Sequence, residues 1–204
     1  MNSISKKMLG EVVVFINGDR GVNYPKTKDY VQQGIPFFNA SDLDGITVNL
    51  SNAKFISDEA YESLRNGKIN EGDILFCLRG SLGNIGLVKN IKKGAIASSL
   101  VIIRPTKEIE KDYLYYILSG PINRKIVREL DNGSVQGNLS VSELKKVEIS
   151  LPNLENQKAI AHILRSLDKK IILNKKINEN LEEIEKAIFK SWFIDFDPIK
   201  AKTE

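Results

Sequence analysis

The chain has 204 residues, 42% hydrophobic and 27% charged, with 30 basic side chains, 26 acidic ones and a single cysteine. That is enough apolar mass for one sizeable core; it excludes wholesale disorder and leaves no disulfide within the chain. The formal charge of +4 permits nucleic-acid binding without requiring it. Met1 to Gly10 has no apolar secretory core, and no stretch approaches the roughly 18 apolar residues of a membrane span. A cytoplasmic protein with no membrane partner is expected.

Read in chain order, short apolar runs alternate with turn residues. Val12 to Ile16 ends at Asn17-Gly18-Asp19, and Ile35 to Phe38 follows Gly34. Ile74 to Leu78 ends at Arg79-Gly80, and Leu100 to Ile103 ends before Pro105. Each run is short, rich in strand-forming types and bounded by breakers, so each reads as a strand. Cys77 falls inside the third run and reads as a small buried side chain. Asp112 to Leu118 and Pro121 to Leu130 read as short helices, separated by Gly120-Pro121. Residues 1–152 are therefore a mixed α+β domain.

The character changes at Pro152. From Asn153 to Asp197 there is neither Gly nor Pro, and Asn153 is placed to cap a helix. Apolar residues recur at heptad spacing. With Ile160, Leu167, Asn174, Leu181 and Ile188 at a positions, the d positions are Ile163, Lys170, Ile177, Ile184 and Ser191. This is a coiled-coil seam with Lys170 and Asn174 interrupting its middle. Residues 153–204 form a second region, and its seam needs a partner helix that the chain does not supply.

Catalytic machinery is sparse. No phosphate-binding loop is present, because Gly67-Lys68 lacks the upstream glycine spacing. The one histidine, His162, reads as a surface residue of the long helix, and one His with one distant Cys makes a metal site improbable. Asp131 with Glu143-Leu144-Lys145 resembles the carboxylate spacing of metal-dependent nucleases. Glu143 also completes a capped helical turn starting at Ser140, and that structural reading is preferred.

The polar loops suggest a different task. Asn17 to Gly21 carries Arg20 and is followed by Asn23, Tyr24, Lys26 and Lys28. Arg79 to Gly86 carries Arg79, Ser81 and Asn84. Gly133 to Asn138 carries Ser134, Gln136 and Asn138. Glycine lets backbone approach a ligand closely, Ser donates to phosphates, and Arg, Asn and Gln read base edges.

Gly34 to Leu43, Gly72 to Gly86 and Leu139 to Ala161 resemble, in that order, three motifs of the specificity subunits of type I restriction–modification systems. The resemblance spans residues 10 to about 190 and adds Asn39 and Ser41 of its first motif to the DNA-contact candidates. It implies an α+β fold: one target-recognition domain followed by a long coiled-coil-forming helix. It implies double-stranded DNA as ligand and no catalysis on this chain. S-adenosylmethionine, ATP and Mg²⁺ would belong to partners, an adenine methyltransferase subunit and a restriction/translocase subunit. The usual subunit has two recognition domains and two helices, so this half-length form is expected to act as a homodimer or with another half-subunit. Two readings compete: a recognition subunit of a type IIG or IIB-like methyltransferase–nuclease, and a coiled-coil adaptor with no DNA function.

Overall fold

The computed structural model describes residues 4–130 and 139–200. Its elements, in chain order, begin with β1 (Ser5–Met8), α1 (Leu9–Val12), β2 (Val13–Asn17), β3 (Tyr30–Val31), β4 (Ile35–Phe38), β5 (Lys54–Ile56) and α2 (Asp58–Ser63). Next come β6 (Ile74–Cys77), β7 (Ile85–Leu87), β8 (Ala95–Ile96), β9 (Leu100–Pro105), α3 (Lys111–Ser119) and α4 (Pro121–Leu130). The chain closes with α5 (Val141–Lys145), β10 (Glu148–Leu151), α6 (Leu154–Phe189) and α7 (Asp197–Lys200). The fold is α+β. It divides into two compact units, residues 1–161 and 162–204.

In the first unit the central sheet has the order β2-β9-β6-β7, with every neighbouring pair antiparallel. Its middle strands are buried on both faces. Ile74, Phe76, Val101 and Ile103 enter one apolar cluster, and Leu75, Cys77, Leu100 and Ile102 enter another. Burial on both sides explains why these strands read as continuous apolar runs rather than alternating ones. The first cluster is closed by α1, α3, α5 and β10, through Leu9, Leu114, Leu118, Leu144 and Ile149. The second cluster also takes Phe38 of β4, while Phe37 turns into a third with Ile56 and Tyr61. The second sheet has the order β3-β5-β4-β8, with β4 and β8 parallel.

A two-stranded ribbon pairs β1 with β10, joining Ser5 to Leu151 across most of the unit's sequence. Where β9 meets the segment before β6, the Arg104 guanidinium donates to both oxygens of the buried Asp73 carboxylate, at 2.8 and 2.7 Å. This pairing holds Arg104 above its usual pKa, against the opposing effect of burial.

The long helix starts as its sequence implies. Asn153 accepts from the backbone N–H of Asn156 at 2.9 Å. Gln157, 1% exposed, donates to the Pro152 and Glu108 carbonyls and accepts from the Glu110 N–H at 2.8 Å. These bonds pin the first turn to the first unit.

Two boundaries differ from the sequence reading. Val12 closes α1 and the strand begins at Val13. At the other end, α6 stops at Phe189, inside the stretch to Asp197 that holds no Gly or Pro. A π turn, Lys190–Ile194, follows, with the Asp195 N–H bonded to the Lys190 carbonyl at 2.8 Å. Phe196 then takes a left-handed φ of +54°, ahead of α7.

In the second unit the apolar stripe is open to solvent. Ile163, Leu167, Ile177, Leu181, Ile184 and Ile188 are 45–60% exposed. Lys170 and Asn174, at the middle of the stripe, are exposed as well, as is His162. No helix among the described residues is long and apolar enough to cross a membrane.

Candidate nucleic-acid interface

Strands β2 and β6 both run antiparallel to β9, so they run parallel to each other. Their last residues, Asn17 and Cys77, lie opposite adjacent residues of β9, Val101 and Leu100. The loops after β2 and after β6 therefore leave the same edge of the sheet. The chain re-entering at Leu139 joins them, since the Leu139 N–H donates to the Leu78 carbonyl at 3.1 Å.

These segments enclose a cleft of about 570 Å³. Its polar lining is Asn17, Arg20, Asn66, Arg79, Ser140 and Ser142, with Leu78, Leu139 and Val141 as apolar wall. Among the described residues, the one carboxylate in that lining is Asp19, which is 8% exposed. It accepts the backbone N–H groups of Arg65 and Asn66, at 2.5 and 3.2 Å. The cleft is thus lined by two arginines together with amide and hydroxyl side chains. Cationic and bidentate groups together suit a polyanion whose edges carry donors and acceptors.

The Arg79 turn is built from below. The buried Cys77 thiol donates to the Arg79 carbonyl at 2.9 Å, and burial pushes that thiol above its ordinary pKa. Gly83 has a φ of +80° and lies where a Cβ would come within 2.5 Å of Val127 on α4. Asn123 of the same helix donates to the Gly83 carbonyl at 2.7 Å. Ser81 and Asn84 are exposed on this turn. The Ser140 N–H and hydroxyl both bond to the Glu143 carboxylate, at 2.9 and 2.6 Å. These bonds hold that carboxylate below its usual range. Glu143 is a capping residue here, as its sequence context implies.

The remaining candidates are placed elsewhere. Tyr24 is half-buried with its ring edge-on to Phe37 at 5.6 Å, and burial raises its phenol pKa. Asn23 is half-buried in the turn Gly21–Asn23, while Lys26 and Lys28 are exposed beside the turn Thr27–Asp29. Asn39 and Ser41 sit at the turn Ala40–Asp42, where the Asn39 amide donates to the Phe37 carbonyl at 3.4 Å. None of these lines the cleft. Ser134, Gln136 and Asn138, and Asp131, lie outside the described residues. Sequence reasoning missed Asn66, Ser140 and Ser142 as cleft residues. Asn66 carries no local signal that distinguishes it from any turn asparagine. Among the described residues, no three of His, Cys, Asp and Glu lie together as a metal site would require.

The first unit carries a cleft lined by two arginines at one end of its central sheet, and the long helix bears an exposed apolar stripe. The chain belongs to the type I restriction modification DNA specificity domain family, which it matches over residues 3–183. It is 32% identical over 177 residues to the type I restriction enzyme MjaIX specificity subunit of Methanocaldococcus jannaschii, covering 86% of this chain and 40% of that one. It is 28% identical to the HindI specificity subunit of Haemophilus influenzae, covering 92% of this chain and 42% of that protein. The chain thus spans well under half the length of these relatives. The HsdS subunit from Thermoanaerobacter tengcongensis shares the fold, with a TM-score of 0.63 at 23% identity over 93% of this chain and 44% of that one.

Proposed function

We propose that the chain reads DNA sequence through the Arg20–Arg79 cleft, as a non-catalytic specificity subunit with a single recognition domain. The observation that carries this reading is the convergence of those two arginines at one sheet edge, in a chain of a DNA specificity family. Arg79 and Arg20 are assigned to base edges or phosphates, with Ser81 and Asn84 on the same turn as Arg79. Ser134 and Gln136, on the segment leading into Leu139, complete the set.

The stripe from Ile160 to Ile188, with Lys170 and Asn174 at its middle, is assigned to a coiled coil with a second copy or another half-subunit. In an antiparallel pair those two polar positions meet their counterparts near the two-fold axis and fix the register. Two such domains would read a bipartite, interrupted palindrome. Methyl transfer, ATP hydrolysis and cleavage would belong to the methyltransferase and restriction subunits that the reader directs.

The test is binding to duplex DNA selected from a random pool. Replacing Arg20 and Arg79 together with Ala should abolish selection while the melting temperature holds. Unchanged affinity in a folded double variant would refute the assignment.

A further inference from the structure

We propose that Asn66 reads a base edge in the cleft and that Asp19 is the positioning residue that holds it there; this rests on the DNA reading above. Asn66 lies between Ser63, the end of α2, and Gly67, far from the other cleft loops in sequence, yet it lines the same cleft as Arg20 and Arg79. Its side chain is exposed and, among the described residues, has no hydrogen-bond partner. A carboxamide presents a donor and an acceptor side by side, the complement of the N6 and N7 groups of adenine in the major groove.

Two features fix Asn66 relative to Arg20. The first is the Asp19 carboxylate, which accepts from the backbone of Arg65 and Asn66 across a separation of 46–47 residues. The second is backbone-to-backbone packing. A Cβ on Gly67, whose φ is +80°, would meet the Gly18 Cα at 2.9 Å. A Cβ on Gly18 would meet the Ile96 and Ala97 carbonyls at 2.8 Å. No side chain fits between the two segments, so Asp19 and Asn66 are held in register. A buried carboxylate spent on two N–H groups inside a cationic cleft also keeps its charge away from the polyanion at the mouth.

A simpler role for Asn66 is turn formation, since asparagine favours the residue before a left-handed glycine. Aspartate serves that role equally, but it replaces the carboxamide donor with a second acceptor. Asn66→Asp therefore separates the two roles. The experiment is selection from a pool of random-sequence duplexes by the full chain, comparing wild type, Asn66→Asp, Asn66→Ser, Asp19→Ala and Asp19→Asn. Wild type should enrich a motif containing adenine at one position. Asn66→Ser should lose about tenfold in preference at that position alone, with the salt slope and the other positions unchanged. Asn66→Asp should lose the same preference on top of a uniform weakening, because its carboxylate repels the phosphates. Asp19→Ala should relax the same position, and Asp19→Asn, which keeps one acceptor, should recover part of it.

An unchanged motif for Asn66→Asp, or a uniform loss at every position for the uncharged Asn66→Ser, would overturn the proposal. In that event, loss of binding in the Arg20→Ala, Arg79→Ala double variant would leave the DNA reading standing. If wild type enriches no motif at low salt, both fall.

Discussion

The open stripe on α6 gives the sharpest quantitative test of the assembly. Ile177 is 45% and Ile184 54% exposed, so each has about half of its surface left to bury. Full burial of an isoleucine is worth about 1.5–3 kcal/mol, which leaves about 1 kcal/mol per side chain for a partner helix to supply. In a symmetric pair each substitution acts twice. Ile184→Ala should therefore weaken the dimer by about 2 kcal/mol, or about thirtyfold in dissociation constant. The Ile177→Ala, Ile184→Ala double variant should weaken it by about 4 kcal/mol, near a thousandfold. Alanine is the better helix former, so α6 itself should persist, and the solvent-facing positions mean the monomer loses little. Sedimentation equilibrium reads the constant, and Glu182→Ala, one residue off the seam, is the control. A dimer constant unmoved by the double variant would refute the seam. A wild-type chain that stays monomeric at every concentration and on DNA would refute the homodimer and leave another half-subunit as the partner.

Four further outcomes follow from the structure. Gln157→Ala should cost about 1–3 kcal/mol in chemical denaturation, because the half-buried Glu110 N–H loses its acceptor and the Pro152 and Glu108 carbonyls lose their donor. Arg104→Met should cost about 3 kcal/mol by the same measurement, since it strands the Asp73 carboxylate, 1% exposed, without its cation. Glu143→Gln should leave cleavage and methylation by the assembled enzyme intact, and a selective loss of cleavage in a folded variant would revive the nuclease reading. The capping contribution of Glu143, whose pKa is lowered by Ser140, should be present above the ordinary carboxylate range and lost as pH falls through the lowered value.

How far the sequence could be read depended on how local each cause was. β6 and β9 were legible because both faces are buried, which writes an unbroken apolar run into the chain. The start of α6 was legible because Asn153 is a local cap, and the Ser140–Glu143 box because both partners lie within one turn. The β1–β10 ribbon was not, since its pairing joins residues 5 and 151 and leaves no signal in either four-residue strand. β3 and β8 have two residues each, too few for any period. The π turn at Lys190 was missed because no Gly or Pro marks it; the break comes from an i→i+5 bond and the backbone at Phe196.

The candidate site divides along the same line. Arg20 and Arg79 stood out because each sits in a glycine-bounded loop after an apolar strand, a pattern visible within ten residues. Whether those loops share an edge depends on strand direction, and that follows only once β9 is known to lie between β2 and β6. Tyr24 sat among polar residues in the sequence, yet its ring is drawn into the cluster around Phe37, where aromatic packing outweighs its value as an exposed stacking platform. Asn66 is the opposite case, unremarkable in sequence and placed in the cleft by contacts with Asp19 and Gly18. The strands and the Asp19 clasp are held by burial and backbone bonds, whereas Arg20, Asn66 and Arg79 project from loops. On the proposed DNA reading, exchanging those side chains would change which bases are favoured at little cost to the core. A reader built this way can change its target while β2, β9 and β6 stay fixed.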